Sequence, residues 1–144
     1  MKAKRGFTLV EILIVVVILG ILAAIVIPQF TEASTEAKTS SLCTDLQTMR
    51  SQIELYKIQH NDALPALAGE GEADFASRMT EQTDINGDPG TDYGPYIQKI
   101  PTNQFVDSND VEVGVGAPGG GNAGWYFNTD TGAFHADDDS HVAL

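Results

Sequence analysis

The stretch GFTLVEILIVVVILGILAAIVI, residues 6–27, decides how this chain is organised. Between Phe7 and Ile27 the only charged side chain is that of Glu11. A helix of this length spans about 30 Å, which is the thickness of a bilayer core. The sequence therefore predicts a membrane-spanning helix with one carboxylate near its start.

The charges that flank this helix predict its orientation. Lys2, Lys4 and Arg5 precede the apolar run, and the first charge after it is that of Glu32. Because basic residues favour the cytoplasmic side, we expect the N-terminus in the cytoplasm and the rest of the chain outside it.

Two simpler interpretations of the apolar run are a cleaved signal peptide and a plain signal anchor. A cleaved secretory signal peptide requires a shorter apolar core and alternating small residues, whereas Ala23 and Ala24 are adjacent and apolar residues continue beyond them. A plain signal anchor explains the run but not Glu11 or the abrupt junction between Arg5 and Phe7.

The segment KRGFTLVE, residues 4–11, followed by the apolar run, resembles the processing site of type IV pilins and pseudopilins. In that family a membrane peptidase cuts after the glycine and methylates the new N-terminal phenylalanine. The resemblance implies a cut between Gly6 and Phe7. The residues to which it gives assembly roles are Phe7, Glu11, Gly20 and Pro28.

The cut changes the charge at the head of the helix. It leaves five basic residues against 20 acidic ones, a net charge of −15, and creates an α-amino cation at Phe7. A carboxylate at membrane depth costs about 2.5–3.5 kcal/mol without a partner. We expect Glu11 to neutralise the amine of a neighbouring subunit; the alternative is an interfacial charge that reaches the headgroups.

The helical pattern continues beyond the membrane. A stripe of apolar residues at spacings of 4, 3, 4 and 3 predicts one buried face; its members are Leu42, Leu46, Met49, Ile53 and Tyr56. We expect one helix from Phe7 to Tyr56, with Arg50 and Glu54 paired as i, i+4 neighbours.

Pro28 predicts a kink or local unwinding near residues 27–29, because proline lacks an amide donor. Gly20 is a second weak point. By resemblance to related filaments, the stretch Gly20–Pro28 can lose its helical form on assembly.

The second half of the chain reads as a small mixed domain. The patterns predict a short helix over Ala73–Thr83, a turn cluster over Asp84–Gly94 and a strand at residues 111–115. A glycine-rich turn over Gly116–Gly124 leads to a β-hairpin of residues 125–127 and 133–135. The fold class predicted is α+β, pilin-like, with a long N-terminal helix and a small antiparallel sheet.

Segments YIQKIPTN, residues 96–103, and GWYFN, residues 124–128, resemble the major pseudopilin of type II secretion systems. The domain organisation expected is a leader at 1–6, a transmembrane and filament-core helix at 7–29, an amphipathic helix at 30–60 and a small αβ-loop and β-sheet domain at 61–144.

Two acidic clusters are weak candidates for a calcium site: Asp84, Asn86, Asp88 and Asp92 in the turn cluster, and Asp137, Asp138 and Asp139 near the end of the chain. Pro89 at the sixth position of the first cluster and the missing glutamate at the twelfth exclude an EF-hand. Both clusters can also be solvated loops.

The composition excludes several function classes. With 8 Lys+Arg against 20 Asp+Glu the chain carries a charge of −12 and has no basic face for nucleic acid. The single cysteine, Cys43, is interpreted as a small apolar helix residue. No nucleophile motif or catalytic constellation is present, so we expect no enzyme.

The leading hypothesis is a structural filament subunit of a type II secretion pseudopilus, held in the inner membrane until assembly, with its C-terminal domain in the periplasm. The resemblance implies as partners further copies of itself, the prepilin peptidase, an assembly platform with a cytoplasmic ATPase, minor pseudopilins and inner-membrane lipid. A surface type IV pilus subunit for adhesion, motility or DNA uptake is the alternative. An anchored periplasmic binding module is a third.

Overall fold

The computed structural model describes residues 6–121 and 123–144, with Pro28 described by its backbone alone. In these residues the elements are α1 (Leu9–Gln59), α2 (Glu72–Thr80), β1 (Val111–Gly114), β2 (Trp125–Asn128) and β3 (Phe134–Ala136). The α+β class with a long first helix is confirmed. The chain divides into two compact units at Ala37/Lys38. Of the expected leader, residues 1–5 lie outside the described residues.

The first unit consists of the N-terminal part of α1. This part is long and apolar enough to cross a membrane, and none of its most apolar stretch is buried by the described residues. Large side chains such as Leu13 and Leu19 are exposed all round the helix. A helix that is apolar on every face requires lipid or other helices around it.

The helix runs without interruption through Gly20 and Pro28, so the local unwinding expected near residues 27–29 is wrong for this chain, while the kink at Pro28 stays a prediction. Proline removes one hydrogen bond of the ladder, the one to the carbonyl of Ala24, and the bonds on either side maintain the helix. The Thr31 hydroxyl adds a bond to the Ile27 carbonyl at 3.2 Å. Loss of helical form on assembly stays a prediction.

The second unit is built on the remainder of α1. The apolar stripe is confirmed, since all of its members are at most 2% exposed: Leu42, Leu46, Met49, Ile53 and Tyr56. They form one core with Phe75 and Met79 of α2 and with Trp125, Phe127 and Phe134 of the sheet. The stripe therefore anchors the domain to the helix.

The expected Arg50–Glu54 pair is wrong. Arg50 donates from Nε to the Phe134 carbonyl at 3.0 Å and from Nη2 to a backbone oxygen of Leu144 at 2.6 Å. Glu54 instead forms an ion pair with Lys57 at 2.9 Å. Backbone oxygens of β3 and of Leu144 thus take the guanidinium in place of the solvated carboxylate on the same helix.

The short helix is confirmed, but it ends at Thr80 rather than Thr83. Thr83 is buried and exchanges backbone hydrogen bonds with Tyr93 at 3.0 Å, which makes the turn cluster a closed loop. The His60 ring joins this loop to the end of α1, with Nε2 3.0 Å from the Thr83 hydroxyl and Nδ1 2.9 Å from the Tyr56 carbonyl.

The sheet is mixed rather than antiparallel. β2 and β3 form the predicted hairpin, with Phe127 opposite Phe134, but β1 pairs with β2 in parallel, with Val111 opposite Trp125. A Cβ on Gly124 would overlap the Ser108 carbonyl oxygen. Only glycine therefore fits at position 124, directly before β2, where the backbone passes close to Ser108.

The stripe gives a matched pair of isoleucines for a stability test. Ile53 is 0% exposed and Ile58, on the same helix, is 75% exposed. We expect Ile53→Ala to lower the free energy of unfolding by about 2–5 kcal/mol because it leaves a core cavity. Ile58→Ala should change it by less than about 0.5 kcal/mol. Urea unfolding of the full chain in detergent measures both, and equal losses would contradict the burial of the stripe.

Candidate processing and assembly site

Gly6 and Phe7 precede the first turn of α1 and are exposed, with Phe7 83% exposed. Apart from its neighbours in the chain, no atom of the described residues lies within 4 Å of where a Cβ on Gly6 would be. The described part of the fold therefore does not require glycine at this position. Glycine here leaves the backbone open to close approach by another molecule.

Thr8 and Glu11 form a reciprocal cap at the start of α1. The Thr8 amide and hydroxyl both donate to Oε2 of Glu11 at 2.8 Å, and the Glu11 amide donates to the Thr8 hydroxyl at 3.2 Å. This is a capping box, in which two orphan amides of a helix start are satisfied by two side chains. Thr8 was not among the predicted site residues, although the T-x-x-E spacing before an apolar run is the signature of a capping box.

The cap leaves half of the carboxylate available. Both bonds from Thr8 reach Oε2, and across residues 6–121 and 123–144 no donor contacts Oε1. A carboxylate carries about four acceptor positions on two oxygens. Glu11 can therefore cap its own helix and still accept a hydrogen bond from a cation of another molecule.

Gly20 and Pro28 lie on the same helix but not at this site. They follow Glu11 by nine and 17 residues, which places them about 14 Å and about 26 Å along the helix axis. The space around Gly20 is open. The structure thus joins Thr8 and Glu11 into one group, with Phe7 directly before it in the chain. It leaves the other two positions as separate features of the helix.

The first acidic cluster is a turn held by its own amides. Oδ1 of Asp84 accepts bonds from the amides of Asn86 at 2.8 Å and Asp88 at 3.1 Å. These bonds, that of Asn86 above all, hold the pKa of Asp84 below its usual range. The carboxylate stabilises the turn in its charged form.

In the second acidic cluster, Asp137 and Asp138 contact different groups of the protein. Asp137 is fully buried and accepts bonds from the amides of Gly119, Gly120 and Ala123, which fixes the glycine-rich loop. Asp138 accepts a bond from the Asn103 side-chain amide at 3.2 Å and contacts the His141 ring at 2.6 Å. Asp139 is exposed. Among the described residues, no three His, Cys, Asp or Glu side chains are placed to hold one metal ion.

Calcium binding at either cluster is thus an open alternative, and thermal unfolding of the full chain in detergent tests it. A bound ion would stabilise the fold by about 2.7 kcal/mol at a hundredfold excess over its dissociation constant. We expect an unchanged melting temperature at millimolar calcium, because amides already occupy Asp84 and Asp137. A rise that disappears in Asp84→Asn or Asp137→Asn would contradict this expectation and locate the ion.

The similarity of this chain to known proteins includes its N-terminal motif and apolar helix. Residues 1–27 match the family model described as the prokaryotic N-terminal methylation motif. Type II secretion system core protein G of Pseudomonas aeruginosa is 42% identical over 65 residues, which cover 45% of this chain and 45% of that protein. The chain thus spans less than half the length of this relative.

Two further relatives align over longer stretches. Core protein G of Vibrio cholerae is 31% identical over 114 residues, or 78% of this chain and 71% of that protein. A fimbrial protein of Pseudomonas aeruginosa is 31% identical over 87 residues, or 60% of this chain and 56% of that protein. No solved structure matches the chain significantly.

Proposed function

Because this chain belongs to the family of type II secretion system core protein G, we propose that it is a structural subunit of a helical filament that assembles from the inner membrane and acts in protein export. One observation carries the proposal: the methylation motif extends into an apolar helix whose most apolar stretch is not buried by any of the described residues. Such a helix is stable in lipid before assembly and against its own copies afterwards.

The proposed sequence of events begins in the membrane. The N-terminus lies in the cytoplasm, where the prepilin peptidase cuts after Gly6 and methylates the amine of Phe7. A platform with a cytoplasmic ATPase then moves the subunit into the filament, with minor pseudopilins as further partners. The domain carried on the stripe stays in the periplasm and forms the outside of the filament.

In the proposed filament, the Glu11 carboxylate of one subunit pairs with the Phe7 amine of its neighbour. After the cut, each subunit carries a cation at Phe7 and an anion at Glu11, four residues apart in an apolar environment. A buried charge without its partner costs about 3–5 kcal/mol. The free Oε1 of Glu11 gives the amine of a neighbouring subunit an acceptor without disturbing the cap.

A surface pilus subunit is the second candidate function, favoured by the similarity to the fimbrial protein. It requires the same cut and the same helix packing. Neighbouring genes separate the two: a secretin with further pseudopilins favours secretion, and a retraction ATPase favours a pilus. An anchored periplasmic binding module, the third hypothesis, requires neither processing nor filaments.

The processing step predicts the mature N-terminus. Mass spectrometry of the membrane-extracted protein should find Phe7 as the first residue, with one added methyl group. Gly6→Leu should block the cut because its side chain keeps the peptidase from the backbone, while the open space around Gly6 leaves the fold unchanged. An intact Met1 in cells with an active peptidase would remove the basis of the filament proposal.

Variants of Thr8 and Glu11 separate capping from charge. Glu11→Gln keeps a side chain that can complete the capping box but removes the charge, whereas Thr8→Ala keeps the charge and removes the cap. Loss of a cap costs about 0.5–2 kcal/mol, less than an unpaired buried charge at every subunit. We expect Glu11→Gln to abolish sheared filaments and Thr8→Ala to reduce them only modestly, at matched levels of processed protein.

Glu11→Leu removes both the helix cap and the negative charge. It should enter the membrane at least as well as the parent, because its insertion cost is lower. It should still be cut at Gly6, five residues away. Abundant filaments from Glu11→Gln or Glu11→Leu would show that the residue is only an interfacial charge.

A further inference from the structure

The three-stranded sheet has two edges that differ in their backbone partners. Its strand order is β1-β2-β3, so β1 and β3 are the edge strands. At the β3 edge the Phe134 carbonyl accepts a hydrogen bond from Arg50 Nε at 3.0 Å, which joins this edge to α1. Among the described residues, none forms a corresponding bond at the β1 edge.

Alternate residues of β1 turn their backbone groups away from the sheet. The Thr129 amide donates to the Gly114 carbonyl at 2.9 Å, so the backbone of Gly114 faces β2. In this parallel register the backbone of Glu112 faces β2 as well, and the amides and carbonyls of Val111 and Val113 point outward. Within residues 6–121 and 123–144, no hydrogen bond reaches these outward groups.

The open part of this edge is its C-terminal end. Val111 is buried and Val113 half-buried, whereas Val115, directly after the strand, is 61% exposed. Val113 is paired with the buried Phe127 and shares its face of the sheet. Glu112 lies on the opposite face and is exposed, because side chains alternate along a strand. The edge thus presents unpaired backbone groups between an apolar face and a carboxylate.

We propose that β1 binds an extended segment of another protein in which basic and apolar residues alternate. An open sheet edge accepts such a segment as an additional strand, with main-chain bonds for affinity and alternate side chains for specificity. Apolar side chains of the segment lie beside Val113 and basic ones beside Glu112, because opposite charges on neighbouring strands attract. This inference goes beyond the proposed function, since binding needs neither processing nor a filament.

A second copy of the chain does not fit this edge. Two β1 strands paired with each other bring two Glu112 carboxylates close together, and facing like charges are destabilising. Four of the five basic residues beyond the predicted cut lie on helices: Lys38, Arg50, Lys57 and Arg78. The fifth, Lys99, precedes the buried Ile100, and the amide of Ile97 already donates to the Met79 carbonyl at 3.0 Å. The segment therefore comes from a different protein.

Binding of labelled peptides to the full chain in detergent, followed by fluorescence anisotropy, tests the proposal. We expect a peptide of alternating lysine and valine to bind and one of alternating glutamate and valine not to bind. A block peptide with the same lysines followed by the same valines should bind about tenfold more weakly or worse, because it matches the charge but not the alternation of the edge.

Two pairs of variants locate the binding site. Val113→Pro removes one outward amide without touching the ladder to β2, so it should bind about fivefold more weakly than Val113→Ala, which keeps that amide. Glu112→Lys should reverse the preference, toward the glutamate–valine peptide. Glu36→Lys, an equal charge change on an exposed residue of the first unit, should keep the preference of the parent. Melting of each variant in detergent shows whether it is folded.

Three results would overturn the binding site. They are equal affinity for the alternating and block peptides, which indicates attraction to net charge alone, parent-like affinity of folded Val113→Pro, and an unchanged preference in Glu112→Lys. If Val113→Pro does not fold, the Glu112 and Glu36 variants decide. All of these measurements use the unassembled chain, so their failure leaves the proposed filament function untouched.

Discussion

The organisation of this chain depends on one helix, α1, whose two parts need different surroundings to bury their apolar side chains. The stripe of α1 from Leu42 to Tyr56 is fully covered by α2 and the sheet. The apolar part that begins at Leu9 is not covered by any of residues 6–121 and 123–144. Apolar area left in water costs about 25 cal/mol per Å². The first part therefore requires lipid or further helices, and the second part needs only its own domain.

A carboxylate in the uncovered part of the helix needs hydrogen bonds or a cation to compensate for its transfer from water. The capping box gives Glu11 two bonds from Thr8, worth about 1 kcal/mol to the helix start. That is less than the penalty for an unpaired charge in an apolar bundle. The cap therefore orients the side chain, and the amine created at Phe7 by processing supplies the compensating charge in the proposed filament.

Periodicity in the sequence predicted what depends on local spacing. The stripe, the extent of α1, α2 and the β2–β3 hairpin all follow from patterns within a few residues. The parallel pairing of β1 with β2 could not be predicted, because the pairing of two separate strands leaves no local pattern in either of them. The partners of Arg50 and Asp137 are backbone groups distant in sequence, and neither leaves a pattern in the chain. Thr8 did leave one, in its spacing from Glu11.

The most direct test of this account is the distance between the two charges in assembled filaments. Filaments grown from two labelled populations, one with ¹⁵N at the Phe7 amine and one with ¹³C at the Glu11 carboxylate, allow only contacts between subunits to be detected by solid-state NMR. The account predicts dipolar coupling between the populations, with nitrogen and carboxylate oxygen within about 4 Å. Intact filaments in which no coupling passes between the populations would contradict it.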